Sequence, residues 1–464
     1  MRHNLIRLIL IFVFLLASAR PVIAQESPSG PVYVVQQGDT LNVIAVRFGV
    51  SVDDLISANN LENPNMLSAG QELVIPGLEG VQGRLITEST PLGDNLASLS
   101  RRFRIPQPML VKLNRLTSPD EVFAGANIII PQDENNAPMS GRTVLGEGRS
   151  LLEAAAASNI SPWAMTRSNG LAGSWDALPG AALFFEGEST GEGETGIPFI
   201  ATLQIDSLPL IQGGTAVVRV TTTEPLQLGG SLNGKTLNFF PVDQASNSYV
   251  ALQGVHAMAK PGLAPFVLNG TAENGQTVSF QQMVLLQAGG YAQDPPLFVD
   301  PQTIDPANTK PEDDAVAAVV VPATPTKYWQ GVFRNPVDEP VCIKSWYGNR
   351  RSYNGSEFNY FHTGADYGVC ANLNIYAPAP GVVVFAGPLT VRGNATYIDH
   401  GWGVYSAYFH QTEIKVQVGD KVEAGQLIGL IGDTGRVTGP HLHWEILVNG
   451  VQVEPLEWLE TPYP

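Results

Sequence analysis

The sequence predicts a multidomain chain with three small βααβ repeats, an all-β sandwich domain and a C-terminal all-β domain. Three observations predict it. First, the N-terminal third repeats with a period of 55 residues, so that Asn59, Asn114 and Asn169 fall in register. Gly38, Gly93 and Gly148 do the same, as do Gly70, Gly125 and Gly180, and the closing Ile75, Ile130 and Phe185. Second, short apolar runs alternate with turn residues from Phe199 to about Leu286. Third, from about Trp329 onward strand-like runs alternate with Gly and Pro turns, and five of the seven histidines lie between His362 and His443.

At 464 residues the chain is longer than one ordinary domain. Its formal net charge of -17 leaves no basic patch that could follow phosphates, so nucleic acid is not an expected partner. Hydrophobic residues at 44% and charged residues at 15% fit folded, exported modules rather than disorder. Residues 1–24 read as a signal peptide. Arg2 and Arg7 give the basic start, Leu8 to Ala17 the apolar stretch, and Val22-Ile23-Ala24 the cleavage site before Gln25. The apolar stretch is too short to cross about 30 Å of hydrocarbon as a helix. No later run is long enough either. The expectation is export to the periplasm, the cell wall or the extracellular space, with no membrane span after cleavage.

In the first repeat, Val32 to Val35 reads as a strand, and Asp39 or Thr40 can cap a helix from Leu41 to Phe48. Leu41, Ile44, Ala45 and Phe48 then share one apolar face. Ser51, with Asp54 three positions on, starts a second helix in a capping-box arrangement. Asn59-Asn60 ends it, and Glu72 to Ile75 returns as a strand before Pro76.

Tyr33-Val34-Val35-Gln36-Gln37-Gly38-Asp39-Thr40-Leu41, with Ile44-Ala45, Phe48-Gly49, Leu55, Asn59 and Leu73-Val74-Ile75-Pro76, resembles the LysM module. The resemblance implies binding to N-acetylglucosamine-containing glycans such as peptidoglycan or chitin. It makes Gly38, Asp39, Thr40 and Asn59 the candidate carbohydrate-binding positions. The first module spans 31–77. A divergent LysM-like module at 85–132 keeps Gly93-Asp94-Asn95-Leu96, Phe103, Asn114 and Ile130-Pro131. A degenerate one at 141–186 has Gly148-Arg149-Ser150-Leu151 where Gly-Asp-Thr-Leu is usual, and Glu186 in place of the closing Pro. For the second and third copies a structural spacer is the alternative role, and the third is not expected to bind sugar.

Residues 187–196, rich in Gly, Ser, Glu and Thr, read as a linker. The sandwich is placed at 197–290, with strands expected at Ala216 to Thr221, Leu237 to Val242, Tyr249 to Val255, Phe266 to Leu268 and Val278 to Leu286. This spacing suggests an immunoglobulin-like arrangement. No catalytic constellation is visible there, and the isolated His256 reads as structural. Residues 291–330 form a Pro/Asp-rich linker in which Pro311-Glu312-Asp313-Asp314 is expected to open a short helix.

The C-terminal domain, 331–464, carries the chemistry. Strands are expected at Ile375 to Ala377, Gly381 to Ala386, Ala395 to Asp399, Val404 to Phe409, Leu427 to Ile431 and His443 to Val448. In Gly439-Pro440-His441-Leu442-His443-Trp444-Glu445 two histidines stand two apart. On a strand both imidazoles share a face, about 7 Å apart. Both can bind a metal, or one can bind it while the other handles a proton. His362 and Asp366, four apart with Gly364 permitting a tight bend between them, can converge on one cation. With His443 they make two imidazoles and one carboxylate, the ligand count of a catalytic zinc site with its fourth position open. His400, at a strand end, reads as structural. Cys342 and Cys370, the only cysteines, flank His362 and Asp366. In an exported protein a disulfide between them is expected, stabilising by about 3–4 kcal/mol through chain entropy. Two unpaired buried thiols are the alternative.

Tyr347-Gly348-Asn349-Arg350, His362-Thr363-Gly364-Ala365-Asp366, Ala379-Pro380-Gly381-Val382-Val383, Tyr408-Phe409-His410, Val418-Gly419-Asp420-Lys421-Val422, Gly425-Gln426-Leu427-Ile428-Gly429 and Thr434 to Glu445 stand in one order. Together they resemble the lysostaphin/LytM-type zinc endopeptidases of the duplicated hybrid motif superfamily. The resemblance implies a β-sheet domain with a groove over one zinc ion, Zn2+, per chain. It implies His362, Asp366 and His443 as ligands, and His410 and His441 as the catalytic histidines beside the metal-bound water. Two positions depart from the family: Cys370 to Ile375 replaces a Gly-Thr-Pro-Val-like turn, and Trp444 stands where Phe is common. No His-Glu-x-x-His occurs, so the unliganded histidines are the natural proton acceptors. The function expected is an exported zinc metalloendopeptidase that cuts peptide cross-links or bridges of bacterial peptidoglycan. Its partners are the glycan, through LysM, and the stem peptide, through the groove. The alternative is a non-catalytic wall-binding scaffold that recruits or activates other murein hydrolases.

Overall fold

The computed structural model describes residues 30–78, 80–132, 137–146, 148–187, 195–243 and 246–464. The signal peptide expected at 1–24 and most of the linker expected at 187–196 lie outside the described residues. The chain divides into two compact units, Met1–Ile86 with Ile129–Ala137, and Thr87–Ile128 with Pro138–Pro464.

In the first unit, strand Val32–Val34 pairs antiparallel with Glu72–Val74 around helices Leu41–Phe48 and Val52–Asn59. Of the two candidate caps, Thr40 takes the position, its side chain accepting from the Val43 N–H. Ser51 likewise accepts from the Asp54 N–H. Leu41, Ile44, Ala45 and Phe48 are buried, as their spacing requires. The side chain of Asn59 explains its place in the repeat. Its amide donates to the Leu55 and Val74 carbonyls, and its oxygen accepts from the Val74 N–H at 2.6 Å. It thereby ties the end of the second helix to the closing strand.

In the second unit, strand Gly141–Val144 pairs with Ala182–Phe185 around helices Leu151–Ala157 and Pro162–Ser168. Asn169 makes the same tie, donating to the Met165 and Phe184 carbonyls and accepting from the Phe184 N–H. Helices Leu96–Phe103 and Gln107–Asn114 precede this repeat, the first closed by a reciprocal capping box of Asn95 and Ser98.

Two sheets follow. One contains Lys235–Thr236, Leu226–Leu232, Gly262–Ala272, Thr277–Gln287 and Leu210–Ile211; the other Phe240–Pro241, Ser248–Gly254, Thr215–Thr222 and Ile200–Ile205. Ala216, Val218 and Val220 join Phe266, Leu268 and Val284 in the core between the sheets. Val217, Phe240, Val250 and Leu252 point the other way and pack with Trp329, Trp402 and Trp458 of the C-terminal domain. The second sheet is therefore buried on both faces, which is why Ala216 to Val220 is nearly continuous in apolar residues. The run Leu237 to Val242, expected as one strand, forms strand only at Phe240–Pro241. Leu226–Leu232 was not expected, because Gly229 and Gly230 interrupt its apolar alternation.

The C-terminal domain is a large sheet in the order Ile343–Ser345, Ala365–Gly368, His441–Val448, Val404–Ile414, Gly393–Gly401, Gly381–Leu389, Lys421–Val422, with Asn374–Tyr376, Leu427–Ile431 and Val451–Val453 paired beside this path. The 291–330 stretch does not behave as a bare linker. It contains the helix Pro306–Val320, whose Val316 and Val320 pack with Tyr397, Tyr405 and Phe409 of the sheet. The helix also begins earlier than expected. Asp305 caps it and Pro306 occupies its first turn, leaving Pro311 inside. Glu312 is buried and accepts from Val391 N, Arg392 N and the Arg392 guanidinium, the last at 2.6 Å. Among the described residues no helix is long and apolar enough to cross a membrane. Cys342 and Cys370 are joined in a disulfide, with Cα atoms 6.2 Å apart.

Two outcomes follow from this packing. Glu312→Ala removes the buried partner of the Arg392 guanidinium, leaving it only Asp313 at 3.1 Å and leaving Val391 N without its acceptor, and should lower the stability of the full chain by roughly 1–3 kcal/mol, read as a lower unfolding midpoint. Thiol titration of denatured, unreduced protein from an oxidising compartment should find no free thiol; two free thiols would contradict the bridge.

Candidate metal centre and active site

Three adjacent strands assemble the site. His441–Val448 lies between Ala365–Gly368 and Val404–Ile414, with Asp366 opposite His443 on one side and Phe409 opposite His443 on the other. Strand alternation puts His441, His443 and Glu445 on one face, while Leu442, Trp444 and Ile446 enter the core on the other. Gly364 brings His362 close. It sits at a bend, as expected, and the structure adds a second reason for glycine there. A Cβ at Gly364 would lie 2.2 Å from the Trp444 carbonyl oxygen and 2.9 Å from His443 Nε2. Only a residue without a side chain lets this segment lie against the strand.

The result is a triangle of donor atoms. His362 Nε2 lies 2.9 Å from Asp366 Oδ1 and 3.0 Å from His443 Nδ1, and His443 Nδ1 lies 2.8 Å from Asp366 Oδ1. His362, Asp366 and His443 are all buried. The outer nitrogens are held by fixed acceptors. His362 Nδ1 is 2.8 Å from the Trp346 carbonyl, and His443 Nε2 is 3.1 Å from Glu445 Oε1. With protons on those outer nitrogens, both inner nitrogens turn lone pairs toward the carboxylate oxygen. Such an arrangement is repulsive without a cation, and metal-binding histidines commonly donate their outer N–H to a carbonyl or carboxylate in this way. The edges are slightly shorter than the roughly 3.3 Å of a tetrahedral set with zinc bonds of about 2.0–2.1 Å. The donor set and its spacing therefore fit one zinc-sized ion.

The electrostatics lead to the same conclusion. Burial works against charge on His443, but hydrogen bonds to Asp366 and Glu445 outweigh it and raise its pKa to about 8. Burial pushes His362 down, despite Asp366. Asp366 stays well below the usual carboxylate range, against its burial, because His362 and His443 adjoin it. The triangle thus calls for one positive charge, which a proton supplies when no metal does.

His410 and His441 sit beside the triangle. Their rings are 4.8 Å apart, and His441 Nε2 lies 3.6 Å from Asp366 Oδ1. Each Nδ1 lies 2.8 Å from a carbonyl, Thr434 O for His410 and Gly439 O for His441. That fixes the proton on Nδ1 and leaves Nε2 as an acceptor. Burial, with His443 and His441 nearby, pushes His410 down to about 3, so it is neutral at pH 7. Simple alternation from Phe409 would turn His410 to the opposite face. A left-handed backbone at φ 62 and a bulge near Gln411 and Glu413 break that alternation. Phe409 stacks on the His443 ring, with centroids 5.2 Å apart.

Two charged neighbours escaped the sequence reading. Glu445 is buried under His443; the alternation that paired the two histidines extends to it and was the available signal. Arg351 bonds Asp294 at 3.2 Å and lies 3.6 Å from Asp366 Oδ2, steadying the carboxylate from outside. Nothing in the sequence marked it. His400 stands apart, fully buried between the Pro380 carbonyl and Ser406 Oγ. The four candidate sugar positions are engaged within their own repeat. Gly38 holds a turn at φ 87, Asp39 accepts from Tyr33 OH and Gln36 N, Thr40 caps a helix and Asn59 ties helix to strand.

Residues 360–455 match Peptidase family M23, and residues 33–76 and 92–131 match the LysM domain. The C-terminal domain is an M23 peptidase domain. The chain is 39% identical over 124 residues to the peptidoglycan DD-endopeptidase ShyA of Vibrio cholerae serotype O1, covering 27% of this chain and 29% of that protein. It is 42% identical over 102 residues to the DD-carboxypeptidase/endopeptidase Mpg of Neisseria meningitidis serogroup B, covering 22% of this chain and 24% of that protein. The catalytic domain of the antimicrobial peptidase lysostaphin from Staphylococcus simulans is similar at 28% identity, covering 29% of this chain and 93% of that chain, with a TM-score of 0.21. This chain spans less than a third of the length of these curated relatives.

Glu445 offers a direct check on the M23 centre. Glu445→Gln keeps the shape but removes the charge that orients His443, and should lower zinc affinity about 10–100-fold, measured by competition with a chromogenic chelator. Metal binding must displace the proton held by the triangle, so affinity should also fall as the pH is lowered below about 8.

Proposed function

We propose that the chain is an exported zinc-dependent endopeptidase that hydrolyses peptide cross-links or bridges of bacterial peptidoglycan. The observation that carries this reading is the triangle of His362, Asp366 and His443 with the imidazoles of His410 and His441 beside it, each held through Nδ1 by a carbonyl so that Nε2 is left as an acceptor. His362, Asp366 and His443 hold one zinc per chain. When bound, zinc supplies Lewis acidity, which activates water near neutral pH and polarises a carbonyl. His441, half-buried and the most exposed of the five side chains, takes the proton of the attacking water at Nε2 and passes it to the leaving amine. His410 shares that transfer or donates to the developing oxyanion. Arg351 and Glu445 position the ligands and do not touch substrate.

The LysM modules hold this domain at its polymeric substrate and so raise its effective concentration, even where each module binds weakly. The activities of these relatives, peptidoglycan DD-endopeptidase and DD-carboxypeptidase/endopeptidase, favour a stem-peptide bond as the target. The segment 141–186 is read as a third, degenerate LysM-like module, and the two-sheet domain as immunoglobulin-like. The place of action is the periplasm, the cell wall or the extracellular space.

Three variants test the roles. His443→Ala should lose most zinc together with activity, because two ligands hold the ion poorly. His441→Ala should retain zinc and cut about 10²–10⁴-fold more slowly, and His410→Ala should resemble it. Metal analysis and the release of new amino termini from purified wall decide the matter. If all three variants cut like the parent, or the parent releases no amino termini, the peptidase reading fails and the non-catalytic scaffold takes its place.

A further inference from the structure

Within the second unit, the helix Leu96–Phe103 and the turn after it share an open cleft with the helix Pro162–Ser168 and the end of strand Ala182–Phe185. The cleft has a volume of about 1030 Å³. That is the size of a ligand site, well beyond a packing defect. Arg101 and Arg104 line it from one repeat, and Arg167, Asp176 and Glu186 from the other. Arg104 is paired with Glu186 at 2.6 Å. Arg101 is half-buried and donates to the Ala182 carbonyl at 3.1 Å; burial pushes its pKa down, against the pull of Asp176. Arg167 lies in the last turn of its helix, with no ion pair to another described residue. Three guanidiniums against two carboxylates make the cleft locally positive, in a chain with 26 basic and 43 acidic residues.

A surface this acidic has no general use for a concentration of arginine, and the half-buried Arg101 is held there at an energetic cost that an anion would offset. The guanidinium fork matches a carboxylate with two parallel hydrogen bonds. Ile105, Pro106, Ile160, Leu171 and Phe185 add apolar lining. Such a surface suits the C–H side of a sugar ring or an aliphatic peptide side chain.

We propose that this cleft is a second binding site, separate from the metal groove, for a carboxylate-bearing glycopeptide: an amino-sugar unit with its attached acidic peptide. The proposal rests on the reading that the chain acts at the cell wall. It assigns the 141–186 repeat a recognition role that its departures from the LysM pattern had argued against. The carboxylates meet Arg167 and Arg101, and the sugar or side-chain faces rest on the apolar lining.

The test is calorimetric titration of the full chain, with a chelator present so that nothing is cut. The probes are a soluble disaccharide-tetrapeptide and a neutral N-acetylglucosamine oligomer. The parent should bind the acidic probe with an affinity that falls as salt rises. Arg167→Gln should weaken that binding at least about tenfold, the usual loss for one charge-assisted hydrogen bond, and flatten the salt dependence, while the neutral oligomer binds as before. Arg167→Lys should recover part of the loss. An Arg167→Gln chain that binds the acidic probe like the parent overturns the proposal, and so does equal weakening for both probes. Wall cleavage by the metal-loaded parent is scored separately. A parent that cuts wall but does not bind the acidic probe overturns the cleft alone. One that binds the probe with the expected salt dependence but does not cut supports the cleft and overturns the peptidase reading alone.

Discussion

Three lone pairs held about 3 Å apart in a buried place repel one another unless a cation joins them. Much of the C-terminal domain serves to hold that arrangement. The carbonyl of Trp346 and the carboxylate of Glu445 orient the two imidazoles, Phe409 stacks on one of them, and Arg351 steadies the carboxylate. Gly364 lets the segment that carries His362 lie against the strand that carries His443. None of these groups would be needed if His362, Asp366 and His443 were ordinary core residues. Their cost is acceptable because an ion, or in its place a proton, satisfies all three donors at once.

The same centre shows why a sheet suits this chemistry. Directly opposed residues on antiparallel strands share a face, so Asp366, His443 and the His410 region meet without any loop having to be ordered. A flat ladder would still send His410 to the wrong side. The left-handed backbone at His410 and the adjacent bulge turn it back, a local strain that the surrounding pairing can bear. The helix Pro306–Val320 buttresses the far edge through Val316, Val320 and Glu312. A segment outside the sheet thus helps fix the strands that carry the site.

How much of this was legible in the sequence varies with the kind of signal. The His-x-His spacing, the His362–Asp366 spacing and the helix face of the first repeat are periodic, and period is local information. They led directly to the triangle and to the buried face of Leu41, Ile44, Ala45 and Phe48. Glu445 was legible by the same rule and was passed over. Arg351 was not, because its role depends on strands distant in the sequence. Glycine misled once: in Leu226–Leu232 it hid a strand whose partner Gly262–Ala272 supplies the ladder. At Gly364 the expected bend is present, and only the close approach to the Trp444 carbonyl was not legible. Pro311 misled in the opposite sense, since Asp305 and Pro306 already provide the helix start.

The register of Asn59, Asn114 and Asn169 shows where repeat patterns and function part company. Asn59 and Asn169 spend their amides on the same tie between the second helix and the closing strand. A position that recurs for this reason marks the fold of the module and leaves little hydrogen-bonding capacity for a ligand. Recognition must then come from side chains free to differ between copies. Arg101, Arg104 and Arg167 are of that kind: they lie in the last turns of their helices or just beyond, apart from the asparagine tie. The copies are alike where they must fold and differ where they can bind. For that reason a degenerate repeat can lose the family's usual loop residues and still gain a surface of its own.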